Sequence, residues 1–221
     1  MNYRISTKIA MAFVAALLMT GCATKTPMDY SAYKASRPRS ILVLPPLNNS
    51  PDVSATYSVM SFVTKPLSEA GYYVMPVGMV AQAFKENGLT QPADMHQTAP
   101  VKLREIFGAE AALYITVTKF GSTYTVVNSE TLVRVEGKLM DLKSGAILWQ
   151  GAAQASSAEA QQQQQGGIAG LLIAAIIKQV MASTFDESHK YSGVATERLL
   201  APGVPHNGLL YGPRSPNFGK D

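Results

Sequence analysis

Carboxylates and imidazoles are the side chains of this 221-residue sequence that could perform acid–base chemistry. They form two clusters, Asp94/His96 and Asp186/Glu187/His189. Neither cluster has the ligand spacing of a metal site or a recognisable catalytic pairing, so both predict polar residues at the surface. The Gly-x-Ser-x-Gly, GxGxxG and Walker motifs of hydrolases and phosphate-binding loops do not occur. The sequence therefore assigns no catalytic residue and no metal ligand.

Cys22 is the single cysteine of the chain, which excludes an intramolecular disulfide and any multi-cysteine metal site. It follows a segment with the layout of an export signal, in which Arg4 and Lys8 precede an apolar run over residues 9–19. An ordinary secretory signal followed by a coincidental free cysteine is one interpretation of this layout. Lipidation of the thiol is the other.

The residues around Cys22 favour lipidation. They read Leu18-Met19-Thr20-Gly21-Cys22, which resembles the bacterial lipobox, although Met19 stands where Leu is usual. The resemblance implies cleavage between Gly21 and Cys22 and a covalent diacylglycerol and N-acyl lipid on Cys22. Ala23 occupies the position where Asp retains lipoproteins in the inner membrane, so the expected location is the outer membrane.

The charge and the composition of the rest of the chain indicate its partners and its division into a tether, a domain and a tail. Removal of residues 1–21 takes away Arg4 and Lys8 but no acid, and lowers the formal charge from +4 to +2. The remaining basic residues are scattered without interleaved aromatics, so no nucleic-acid partner is predicted. Residues 22–39 have little periodicity and predict a lipidated tether, and residues 201–221 predict a Pro/Gly-rich tail. A single domain is expected over residues 40–200.

The first half of that domain predicts alternating strands and helices. A β-branched and leucine run over residues 40–44, closed by two prolines, predicts a buried strand. Further strands are predicted over residues 72–77 and 111–120. Helices are predicted where apolar residues recur at helical spacing, over residues 59–70, 79–87 and 100–107. Pro66 is expected to kink the first of these helices.

The pattern changes in the second half. Apolar and charged residues alternate over residues 132–141, which predicts a strand with one wet face in an antiparallel pair. A turn over residues 142–145 leads to a partner strand over residues 146–152, and a last helix is predicted over residues 185–200. The combined prediction is an α/β fold with a mixed sheet flanked by helices.

Residues 168–181 are apolar on nearly every face of a helix, and a helix of that length covers about 21 Å, less than a bilayer. Such a helix must be buried, and three environments are open: the domain core, an interface with itself or a partner, and a membrane surface. The residues of a possible interface are Ile168, Leu171, Leu172 and Ile176.

Two further sets of residues could contact a small ligand. Asn48 and Asn49 follow the first strand, at the end where α/β sheets often bind ligands, although turn and cap roles are the alternative. Tyr72, Tyr73 and Trp149 could stack on a ligand or pack on the sheet.

Four blocks of the sequence resemble a family of bacterial lipoproteins with a domain of unknown function, which includes a genome-derived neisserial antigen. The blocks are Ile41-Leu42-Val43-Leu44-Pro45-Pro46, Leu67-Ser68-Glu69-Ala70-Gly71-Tyr72-Tyr73-Val74, Phe107-Gly108-Ala109-Glu110-Ala111 and Asp141-Leu142-Lys143-Ser144-Gly145-Ala146-Ile147-Leu148-Trp149. Their order is more distantly similar to the amino-terminal domain of TolB and the periplasmic domain of the curli-secretion channel. The resemblance implies an α/β sandwich in envelope transport or assembly, without catalytic residues.

The leading hypothesis is a non-enzymatic outer-membrane lipoprotein that faces the periplasm or the cell surface. Its expected partners are the membrane, through the lipid, a second copy of itself as a dimer or higher oligomer, and another envelope protein. A periplasmic small-ligand or glycan-binding lipoprotein that uses Asn48 and Asn49 is the alternative hypothesis. A hydrolase built on His189 is the third.

Replacement of Cys22 tests the lipid anchor. We expect Cys22→Ala to abolish membrane attachment while the fold is retained, because the cysteine precedes the predicted tether. Fractionation of cells, with and without the signal peptidase II inhibitor globomycin, measures the attachment. Processing of the wild-type chain that is insensitive to globomycin would contradict the lipobox.

Overall fold

The computed structural model describes residues 28–124, 129–159, 187–203 and 207–220. In these residues one sheet lies between two groups of helices. The elements are α1 (Ser31–Ser36), β1 (Ser40–Val43), β2 (Leu47–Asn48), α2 (Ala55–Phe62), α3 (Thr64–Glu69), β3 (Tyr73–Val74), α4 (Val77–Glu86), α5 (Pro92–His96), α6 (Pro100–Phe107), β4 (Ala111–Tyr124), β5 (Ser129–Asp141), β6 (Ile147–Ser156) and α7 (Glu187–Leu200).

The sheet is mixed, with the strand order β3-β1-β4-β5-β6 and with β2 beside β4. β1 pairs in parallel with β3 and β4, and β2 also pairs in parallel with β4. The β4, β5 and β6 strands are antiparallel neighbours. The predicted fold class, an α/β fold with a mixed sheet flanked by helices, is therefore confirmed.

β1 lies inside the molecule and is covered on both faces. Ile41 and Val43 enter a core cluster that also contains residues of α2, α3 and α7. Leu42 and Leu44 point the other way, into a cluster with residues of α4, α5 and α6. All four side chains are fully buried, which explains why the run from Ile41 to Leu44 has no polar residue.

β5 shows the alternation that its sequence predicts. Val133, Val135 and Leu139 are fully buried beneath α7, whereas Arg134 and Glu136 on the opposite face are exposed. The helices α4 to α6 pack over β1 and the start of β4 and leave this second face of β5 uncovered. One face of the sheet is thus covered along its length, and the other is covered at one end.

Several elements differ from the predictions, and prolines account for two of the differences. The helix predicted over residues 59–70 is divided at Val63, because Pro66 has no amide hydrogen to donate to Phe62. The strand predicted over residues 72–77 has only two residues, since Pro76 follows it and precedes α4. The short strand β2 and the helix α5 are not predicted by the sequence, and β4, β5 and β6 each extend beyond their predicted bounds.

The predicted tether and tail both contribute to the folded domain. Residues 31–36 form α1, and Tyr33 is buried, although the predicted tether extends to residue 39. Leu209 is also buried, in the predicted tail, and the Gly212 amide donates to the carbonyl of Ala70 at 2.8 Å. Both segments lack helical or strand periodicity because they bury single side chains rather than a continuous stripe.

Several predictions fall outside the described residues. The export signal, the cleavage and lipidation residues Gly21 and Cys22, and the possible interface of residues 168–181 all belong to this group. Within the described ranges, no helix combines the length and the apolar character needed to cross a bilayer.

Trp149 on β6 joins the covered face of the sheet to the rest of the core. Its ring lies over two glycines, and a Cβ added to Gly151 would stand 2.3 Å from its Cζ2. A Cβ added to Gly137 would stand 3.0 Å from the ring and 3.2 Å from Leu199 on α7. The indole nitrogen donates to the carbonyl of Asn207 at 2.9 Å. The two glycines therefore create the space that the indole fills.

Gly151→Ala tests this packing. We expect the substitution to lower the free energy of unfolding by about 1–3 kcal/mol, since the new methyl group would overlap the Trp149 ring. The matched control is Gly78→Ala in α4, where an added Cβ has no neighbour within 4 Å; we expect a gain of about 0.5–1 kcal/mol there. Urea unfolding measures both values, and equal stability of the two variants would contradict the packing argument.

Candidate functional site

His96 lies at the end of α5 and packs into the structure instead of standing free at the surface. Its Nε2 is 2.9 Å from the carbonyl oxygen of Pro45. The ring meets Tyr114 edge-on, with 5.3 Å between the centroids. Asp94 is exposed and makes no ion pair with His96. His96 is therefore half-buried and has a packing role, while Asp94 is exposed at the surface as predicted.

The environment of His96 opposes its protonation. Burial is the main cause of a pKa below the ordinary histidine value, and the nearby Lys138 ammonium acts in the same direction. The hydrogen bond to Pro45 opposes these effects without cancelling them. The neutral imidazole is therefore the favoured form in the folded protein.

His189 and its neighbours do not form a hydrolytic site in the described residues. His189 Nδ1 is 3.2 Å from the hydroxyl of Ser58, and its ring packs on Phe62 at 4.8 Å. Ser58 is buried between α2 and α7, which keeps its hydroxyl away from a substrate. The Glu187 carboxylate accepts a hydrogen bond from Thr131 at 3.0 Å. Asp186 lies outside the described residues.

The asparagine pair after the first strand lies at the end of β2 and the start of the loop that follows it. The Asn48 amide donates to the carbonyl of Asp52 at 2.7 Å and accepts from the backbone of Ser50 at 2.8 Å. Asn49 lines a groove of about 520 Å³ with the loop residues around it and with β4. The side chain of Asn48 is therefore used within the loop.

The three aromatic residues that could stack on a ligand lie in different environments. Tyr72 and Trp149 are buried in the core. Tyr73 is 44% exposed, and the Arg214 guanidinium lies 5.5 Å from its ring centroid. The structure does not bring the three rings together into a binding set.

The uncovered side of β4, β5 and β6 forms a polar surface, which we call the open face. It carries two rows of side chains, Tyr114-Lys138-Gln150 and Thr116-Glu136-Ala152, set by the register of the three strands. A groove of about 620 Å³ lies along these rows and is bounded by Leu47 and His96. The Lys138 ammonium stands 4.9 Å above the Tyr114 ring.

A second surface combines α1, the residues after it and the carboxyl-terminal segment; we call residues 30–39 and 207–220 the α1–tail face. The Tyr30 hydroxyl donates to the carbonyl of Gly208 at 2.6 Å. The Tyr72 hydroxyl donates to Leu210 at 2.6 Å and lies 2.8 Å from the Tyr33 hydroxyl. A cavity of about 340 Å³ lies between the two segments, and its walls include Lys34, Arg37, Tyr211 and Phe218.

Sequence reasoning missed both surfaces. Lys138, Tyr114 and His96 come from β5, β4 and α5, and no motif spacing connects them. The alternation of apolar and charged residues in β5 predicts a solvent-exposed face. It does not predict which residues of neighbouring elements lie beside that face. In the described part of the chain, no group of three or more His, Cys, Asp or Glu side chains could hold a metal ion.

The pH dependence of stability tests the position of His96. The unfolded chain takes up a proton as the pH falls below about 6.5, whereas the buried imidazole resists protonation. Stability from this source is therefore complete well above that value and decreases as the pH falls through it, until the folded imidazole also takes up a proton. We expect His96→Gln to remove this part of the decrease. Urea unfolding across the pH series measures it, and parallel curves for the two proteins would contradict the assignment.

Known proteins resemble this chain over most of its length. Residues 28–214 match the family described as "Putative lipoprotein GNA1162-like". A relative from Neisseria meningitidis serogroup B, named lipoprotein NMB1124/NMB1162, is 43% identical over 208 residues, which cover 93% of this chain and 95% of the relative. The crystal structure of lipoprotein GNA1162 from Neisseria meningitidis is 42% identical, with a TM-score of 0.53 over 66% of this chain and 100% of that chain. The chain therefore belongs to the GNA1162-like lipoprotein family.

Proposed function

We propose that this protein is a lipid-anchored, non-enzymatic lipoprotein of the outer membrane, and that its open face binds another envelope protein. The observation that carries the proposal is the uneven covering of the sheet. Helices cover one face, whereas on the other face the parts of β4, β5 and β6 that lie beyond α4 to α6 have no covering in the described residues. The anchor rests on Cys22 and the lipobox, and the outer membrane rests on Ala23.

The chemistry of the open face fits a polypeptide surface better than a small ligand. Ligand pockets are mostly apolar and enclose the greater part of their ligand. Here the exposed rows contain Glu136 and Lys138, of opposite charge, with the neutral Thr116 and Gln150 beside them. A protein partner can meet charges of both signs with complementary charges, which supports specificity of the contact.

The edge of β6 is less suited to binding than the face. Arg198 on α7 donates to the backbone carbonyl of Gln154 in β6 at 2.7 Å and pairs with Glu159 at 2.8 Å. This contact occupies a backbone acceptor that an added strand would need. We therefore assign the partner to the side chains of the face and not to the edge.

The described imidazoles support a role without catalysis. His96 contacts a backbone carbonyl and Tyr114, and His189 contacts Ser58 and Phe62 inside the helical layer. Each ring fills space between elements and has a structural partner.

Photo-crosslinking in intact cells tests the partner. A photoreactive phenylalanine at Gln150 on the open face should yield an adduct with one envelope protein, which mass spectrometry identifies. We expect Glu136→Lys to reduce the yield about tenfold, the effect of roughly 1.4 kcal/mol, because the reversed charge meets a like charge on the partner. A photoreactive residue at the exposed Lys85 on α4 serves as the control.

The outcomes separate the possible occupants of the face. An adduct from Gln150 that Lys85 does not form, and that Glu136→Lys removes, supports the proposal. An adduct that contains only two copies of this chain would overturn the assignment to another protein. Equal adducts from both positions, or none from Gln150, would overturn the open face as a binding site.

A further inference from the structure

The chain between Cys22 and the first described residue is short enough to place the α1–tail face near the lipid anchor. This inference therefore rests on the proposed function, which includes that anchor. Cys22 lies six residues before Met28, the first described residue, and Met28 leads directly into α1. Six residues span at most about 20–22 Å when fully extended. The membrane surface is therefore within about 22 Å of Met28, two residues before the start of this face.

The α1–tail face carries basic side chains that have no acidic partner. Lys34, Arg37 and Arg214 are exposed, and none of them forms an ion pair with another described residue. Arg39 differs, because its guanidinium pairs with Glu110 at 2.7 Å. The Asp29 carboxylate accepts hydrogen bonds from the backbone and hydroxyl of Ser31, at 2.9 and 2.5 Å. Lys220, the last described residue of this face, is also exposed and outside the ion pairs of the described residues, so four cations are available to an external anion.

Exposed aromatic rings accompany two of these cations. The Arg37 guanidinium lies 6.0 Å from the ring centroid of Phe218, which is 40% exposed. Arg214 stands over Tyr73, whose exposure is similar. Basic residues beside exposed aromatic residues are typical of protein surfaces that lie at a membrane interface, where the ring enters the headgroup layer and the cation meets phosphate.

We propose that the α1–tail face lies against the anionic phospholipid surface of the membrane that holds the Cys22 lipid. Lys34, Arg37 and Arg214 contact the phosphate groups, and Phe218 enters the headgroup layer. The short connection to Cys22 and the unpaired positive charge both favour this occupant over a soluble anion. The contact orients the domain relative to the bilayer, which a single covalent anchor would not do.

Hydrogen–deuterium exchange of the full lipidated protein in proteoliposomes tests the proposal. One set of vesicles contains 30% phosphatidylglycerol in phosphatidylcholine, and the other contains phosphatidylcholine alone. We expect slower amide exchange in residues 28–39 and 207–220 in the anionic vesicles only. The protection should disappear at 0.5 M salt, because the Debye length falls to a few ångströms.

Matched charge variants identify the residues responsible. The variant Lys34→Gln/Arg37→Gln/Arg214→Gln should lose the protection, since each cation near an anionic surface contributes about fivefold to the attraction. The control variant removes three exposed cations from other parts of the surface, Lys85→Gln/Lys119→Gln/Arg134→Gln. It has the same net charge and should retain the protection. An unchanged Tm shows that both variants are folded.

Flotation of the same vesicles separates this inference from the anchor. Flotation with both lipid compositions and protection only in anionic vesicles supports the proposal. Flotation with equal exchange in both compositions, or equal loss of protection in the two triple variants, would overturn the membrane face and leave the anchor intact. Absence of flotation from both compositions would overturn the anchor and the face together. Protection by soluble glycerol phosphate alone would assign the cations to a free anion and overturn the membrane surface.

Discussion

The packing of Trp149 connects the parts of this domain that lie far apart in the chain. Its indole fills the space above Gly137 and Gly151, contacts the region of Leu199 on α7, and donates to the Asn207 carbonyl. A large aromatic ring can lie flat on a sheet only where the neighbouring strand positions lack side chains. The buried Trp149 ring therefore connects the antiparallel strands with the last helix and the carboxyl-terminal segment.

The same arrangement leaves two surfaces with different chemistry. The helices α2, α3 and α7 cover one side of the sheet, so the open face of β4 to β6 remains on the other side. The carboxyl-terminal segment returns across Ala70 and Gly71 and meets α1. Because α1 also begins close to Cys22 in the chain, a proposed membrane contact and a proposed partner surface lie on one small domain that follows a proposed lipid anchor. The two proposed surfaces use different elements, which allows the domain to bind the membrane and a protein together.

Local patterns predicted most of the elements correctly. Ile41 to Leu44 are apolar without interruption because the strand is buried on both faces, and β5 alternates because one of its faces is wet. The lack of a ligand spacing around Asp94 and His96 predicts surface residues, whereas the structure places His96 half-buried between elements. Its actual partner, the Pro45 carbonyl, lies 51 residues away, and no sequence spacing encodes that contact. The burial of Tyr33 and Leu209 is equally non-local, since single anchoring residues produce no periodic signal.

The sequence alone determined the fold class and the family resemblance, and it singled out Cys22 as the candidate lipidation site. The spacing of hydrophobic residues and the cleavage motif are properties of residues that are neighbours in the sequence. They can therefore be recognised without a structure. Only the tertiary structure decided which face of the sheet remains open and which cations share the α1–tail face. Arg37 and Arg214 are separated by most of the chain and meet on one surface through the return of the tail. Such surfaces depend on how the helices and strands pack, because packing brings together residues that are distant in the sequence.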